Sequence, residues 1–134
     1  MNRREYTKLI AAKWPYMPMR PGRDLQYRDG IDVAQLHEWR KAWIRGPWFG
    51  LVSPLPDYSP EDFDCDDEVV DFIAYCVRRN AGTGKALPIC FAAITGHAVL
   101  CFVERGTYRI GFFDVRKGEI SFGEIERPEY LELV

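Results

Sequence analysis

Cys65, His97 and Asp114 are the residues whose types and order could carry covalent chemistry. Cys65 stands in Asp64-Cys65-Asp66-Asp67, at the head of a segment with helical periodicity. Unsatisfied N–H groups and the positive end of the helix dipole favour a thiolate there, and the thiolate is the reactive nucleophile. The flanking aspartates act in the opposite sense, because like charge disfavours a second anion. The thiol therefore needs a base. His97 follows Gly96 at the start of a predicted strand, where its ring can face a helix tip. Asp114 ends the next predicted strand in Phe112-Phe113-Asp114, and a hairpin at Arg105-Gly106 brings the two strand ends together. A nucleophile, a base and an orienting carboxylate are the parts of covalent acyl transfer.

The elements that position these residues read as an α+β domain. Residues 3–13 carry Tyr6, Leu9 and Ile10 at helical spacing. A second helix follows, with Asp32 and Gln35 placed as a capping box, a stripe of Val33, Leu36, Trp39, Trp43 and Ile44, and Gly46 at its end. The central helix spans 64–80 on Val69, Phe72, Ile73, Cys76 and Val77. After Gly84 the period changes to short β-branched and aromatic runs at 87–94, 98–104, 107–115 and 119–122, with turns at Arg105-Gly106 and Lys117-Gly118. N-terminal helices and a central helix should pack on a C-terminal antiparallel sheet. The 134 residues fit a single domain, with a helical N-terminal part at 1–56 and a core at 57–122.

The run Tyr58-Ser-Pro-Glu-Asp-Phe-Asp64-Cys65-Asp66-Asp67, then Leu87-Pro88-Ile89, Gly96-His97-Ala98-Val99 and Phe113-Asp114, resembles the bacterial and phage transglutaminase-like (papain-like) cysteine peptidase superfamily. The resemblance implies a papain/transglutaminase-like core in which Cys65 is the nucleophile, His97 the base and Asp114 the orienter. It further implies a small thiol hydrolase or acyltransferase working on a peptide or amide bond through a thioester, with a peptide or protein as substrate. A phage origin would suit it. A catalytically inactive binding or inhibitory protein on the same fold is the rival reading. The chain departs from the family where Glu68-Val69 replaces the usual Phe-Ala, and no oxyanion donor is identified by spacing. Trp48, Gln35 and Gln26 are the side-chain candidates.

Composition narrows the remaining classes. Eighteen Lys+Arg against twenty Asp+Glu give a net charge of −2, which offers no footprint for nucleic acid or an anionic membrane. No segment approaches the ~20 apolar residues of a membrane span, and the first residues lack a secretory h-region. Cys65, Cys76, Cys90 and Cys101 are spaced by 11, 14 and 11 residues, unlike zinc pairs, so neither metal nor cofactor is expected. Reduced thiols in a cytoplasm are the expectation. Gly82-Thr83-Gly84-Lys85 lacks the strand and spacing of a phosphate loop. Trp39 and Trp43 read as core, and His37 as a solvated residue.

Overall fold

The computed structural model describes residues 1–20, 25–45, 64–123 and 126–133. Three helices and six strands follow in the order α1 (Arg3–Lys13), β1 (Met19–Arg20), α2 (Val33–Arg45), α3 (Cys65–Arg79), β2 (Ile89–Ile94), β3 (His97–Val103), β4 (Ile110–Asp114), β5 (Glu119–Ser121) and β6 (Tyr130–Leu133). The strands form one sheet in the order β1-β6-β2-β3-β4-β5. β1 joins β6 in parallel, and the remaining neighbours are antiparallel. The expected α+β meander is present, extended at one edge by β6 and β1.

Alternation along β3 explains the layers. Ala98, Leu100 and Phe102 join one core with Leu36, Trp39 and Trp43 of α2 and Val69, Phe72 and Cys76 of α3. Val99, Cys101 and Val103 point the other way, into a core with Tyr6 and Ile10 of α1 and Trp14. A strand covered on both faces reads as a continuous apolar run rather than alternating with polar residues, which is why six of its seven residues are buried. The sheet is thus sandwiched between α1 and the α2–α3 pair.

Local chemistry starts each helix. Asn2 caps α1, its side chain accepting from Glu5 N while Glu5 reaches back to the cap amide. Asp64 and Asp67 form the same reciprocal box at α3. The box expected at α2 does not form: the Asp32 carboxylate lies 3.4 Å from Arg105, and Gln35 accepts from Arg28 at 3.2 Å. Two members of the expected apolar stripes also turn outward, Ile44 and Val77, each at the margin of its helix face. His37 is not simply solvated; its ring lies edge-on to Phe113, centroids 5.7 Å apart.

Candidate functional site

Cys65 is the first residue of α3, and its neighbours Asp64 and Asp67 are engaged in the capping box. Helix periodicity puts Glu68 and Val69 on the face of Cys65, one turn on, pointing at the sheet. There they meet the start of β3 and the end of β4. Cys65, Glu68, Val69, His97, Ala98, Asp114, Val115 and Arg116 line one crevice, too narrow to hold a water molecule.

His97 and Asp114 are brought together as the hairpin argument required, but diagonally. Leu100 pairs with Phe113, so continuing that register sets His97 opposite Arg116 and two residues from Asp114. Diagonal partners share a face and lie within reach of longer side chains. The His97 Nε2 stands 3.1 Å from Asp114 Oδ2. The other carboxylate oxygen accepts from the Lys117 amide at 2.9 Å, in a turn closed by Gly118 N to Asp114 O at 2.7 Å. Asp114 is therefore held by backbone before it holds the imidazole. With a carboxylate at Nε2, the neutral ring carries its proton there and leaves Nδ1 as the acceptor.

The thiol is not yet joined to the ring. Its Sγ–H donates to Asp66 Oδ1 at 3.7 Å. Burial raises the thiol above its ordinary value, a backbone contact at Ala98 opposes this, and the Asp66 and Asp64 charges add to it. The helix tip alone does not make a thiolate here, so the proton has to be taken by a base.

Glu68 is the residue the sequence undervalued. Its side chain is buried, 6% exposed, and burial lifts its carboxyl above the usual range, opposed first by the Arg116 charge. Asp114 raises it further, whereas His97 and Arg40 favour its ionised form. The i, i+3 spacing from Cys65 is the signal that could have placed it in the crevice.

The two described oxyanion candidates are not brought to Cys65. Gln35 is taken by Arg28. Gln26 bridges to Asn2 and its carbonyl accepts from Ala86 N, at the far end of the sheet. Trp48 lies outside the described residues. Cys76, Cys90 and Cys101 are free and buried, with Cys90 directly opposite Cys101 on β2 and β3. Among the described residues no group of three or more His, Cys, Asp or Glu side chains could hold a metal ion. None of the described helices is long and apolar enough to cross a membrane.

A larger cavity of about 360 Å³ lies on the other flank of α3, lined by Asp66, Val70, Ile73, Phe91, Tyr130, Glu132 and Leu133. Asp66, Val70 and Ile73 form one helical stripe facing β2 and β6. The Phe91 and Tyr130 rings are 6.1 Å apart, and the Tyr130 hydroxyl reaches Glu132 at 3.4 Å.

No protein-family model matches this chain, and no curated protein matches it. Two solved structures are similar to it. One is a Polyporus squamosus lectin bound to the human-type influenza-binding epitope Neu5Aca2-6Galb1-4GlcNAc, with a TM-score of 0.72 and 20% identity over 99% of this chain and 49% of that one. The other is a PSL1a–E64 complex, with a TM-score of 0.65 and 20% identity over 99% of this chain and 51% of that one. The chain thus spans about half the length of each.

These similarities correct the labels drawn from the Asp-Cys-Asp-Asp motif. The fold is shared with about half of a lectin, a sugar-binding protein, and the description as a papain-like cysteine (thiol) protease does not stand. The physical reason lies in the motif itself. Asp64 and Asp67 cap the helix, and Asp66, Asp67 and Glu68 fill its acidic first turn. Such residues serve any helix N-terminus, so the run does not report a protease.

Proposed function

We propose that the chain is a thiol acyl-transfer protein acting on an amide carbonyl, with Cys65 as nucleophile, His97 as base and Asp114 as orienting group. The observation that carries this reading is the 3.1 Å contact between His97 Nε2 and Asp114 Oδ2. It favours the neutral tautomer in which Nδ1 accepts, over a crevice that Cys65 also lines. In the reaction, Nδ1 takes the thiol proton as Sγ bonds to the carbonyl carbon. The C–N bond then breaks, the amine leaves with the proton from His97, and a thioester remains. Water or a second amine, giving its proton to His97, then attacks the thioester; the C–S bond breaks, the acid or new amide leaves, and His97 returns the proton to the Cys65 Sγ. The cap takes the Asp67 amide and the helix the Glu68 amide, so the Cys65 and Asp66 N–H groups are the donors at the tip for the oxyanion.

A binding reading is favoured by the second cavity and by the lectin neighbour. A pyranose offers an apolar C–H face and hydroxyl donors. Phe91 and Tyr130 supply apolar rings, and Asp66 and Glu132 supply carboxylate acceptors. On this reading the chain holds a saccharide and turns nothing over.

One pair of experiments separates them. After mixing with p-nitrophenyl acetate, intact-mass analysis should show one acetyl group on Cys65, lost faster with glycinamide than in water if an amine is the acceptor. Titration with Neu5Aca2-6Galb1-4GlcNAc should leave the protein unchanged. Saturable binding of that glycan, abolished by Tyr130→Ala, with no acetyl-Cys65 at any time, would replace the catalytic reading by the binding one.

A further inference from the structure

The end of the sheet away from Cys65 carries a third cavity, of about 230 Å³, lined by Arg28, Asp29, Gly30, Lys85 and Arg105. Its walls are tied by backbone. Arg28 N bonds to Ala86 O and Ala86 N to Gln26 O, each at 2.8 Å, and Arg105 N bonds to Ile31 O at 3.1 Å. Gly30 has φ +115°, and a Cβ there would fall 2.5 Å from the Arg105 backbone. The position therefore requires glycine, and the two segments are pressed together where the cationic side chains emerge.

The charges do not cancel. Asp29 is the one carboxylate among the described lining residues, and it is engaged at 3.0 Å by the N-terminal ammonium of Met1. That hydrogen bond and charge, with smaller contributions from Lys85 and Arg105, hold its carboxyl below the usual range. Arg105 reaches Asp32 at 3.4 Å, with both side chains more than half exposed, a solvent-screened pair that holds the guanidinium only weakly. Arg28 is half-buried and its bonded partners are neutral amides, Asn80 Oδ1 and Gln35 Oε1, each at 3.2 Å. Asn80 is itself buried and donates to Lys85 O at 2.7 Å. The guanidinium is thus pre-positioned with its charge uncompensated by those partners. Among the described residues, two of its five N–H donors are used, leaving three for a planar bidentate contact. A cavity below the ~300 Å³ of ordinary ligand pockets suits one small group.

We propose that Arg28, Lys85 and Arg105 form a binding site for a tetrahedral oxyanion, a phosphate or sulfate, either free or as the ester of a small molecule. Arg28 supplies the fork, and Lys85 and Arg105 flank it. The site is independent of the thiol chemistry at the opposite end of the sheet.

The test is an amide-resolved NMR titration of the full chain with inorganic phosphate, sulfate and glycerol 3-phosphate at constant ionic strength, with sodium chloride as control. Saturable shifts should centre on Arg28, Gly30, Lys85 and Arg105. The exposed pair Lys85→Gln/Arg105→Gln, which retains the fold contacts of Arg28, should weaken binding at least tenfold. Tighter glycerol 3-phosphate would assign an ester ligand, and tighter inorganic ion a free one. Shifts no larger than those of chloride, or unchanged affinity in the double variant, would overturn the site.

Discussion

At the scale of single residues, the crevice is a problem of where protons sit. Cys65 holds its proton more tightly than a free thiol, and Glu68 holds its own more tightly than a free carboxyl, in both cases because burial disfavours the anion. Glu68 gives a signed prediction. Above the ordinary value of 4.5, the unfolded chain releases this proton while the folded one retains it until pH passes its raised value. Unfolding then sheds a proton, so stability falls as pH rises through that window. Thermal midpoints of the wild type and Glu68→Gln should therefore diverge in favour of the variant between pH 4 and pH 8. A constant difference across that range would mean that Glu68 titrates normally. The order Cys, His, Asp was legible from residue types and predicted turns. Gln26 and Gln35 were not, because a long polar side chain is captured by whichever partner the fold brings near. The sequence carries no sign that Arg28 would claim Gln35.

Elements were the most legible scale. Helix periodicity at 3–13, between Asp32 and Gly46 and at 64–80, and the turns at Gly106 and Gly118, correspond to α1, α2, α3 and the β3–β4 and β4–β5 connections. The edge pair escaped notice. β1 is two residues long and follows Pro18, and β6 is four residues whose alternation, Tyr130 out and Leu131 in, is too brief to stand out. Their pairing is non-local, so it appears only once the sheet is assembled. The capping box of α3 is the element on which the thiol depends. Its two bonds are long, 3.4 Å for Asp67 N to Asp64 Oδ1 and 3.3 Å for the reverse. Asp64→Ala should therefore cost about 0.5–1 kcal/mol in urea unfolding, the lower part of the range for N-cap loss. A cost near zero would show that the first turn of α3 is held by something other than its cap.

For the whole molecule, the arrangement separates the two proposed sites by the length of one strand. His97 opens β3 at the thiol crevice, and Val103 closes it beside the basic cavity, where Ile31 N bonds to Val103 O at 2.9 Å. Fold class came from the pattern of helices followed by short strands, whereas the relationship of the fold to known proteins did not. A four-residue acidic motif is shaped by helix initiation and is compatible with many folds, and function resides in the site rather than the architecture. The central claim is that Cys65 gives its proton to His97. The most direct measurement is the rate of iodoacetamide alkylation of Cys65 across pH 5 to 10, read by peptide mass, in the wild type and His97→Ala. Cys65 alone should react in the folded protein, and loss of the base should slow it at pH 7 by about 100-fold, the low end of general-base effects, with the profile displaced to higher pH. Superimposable profiles would contradict that claim.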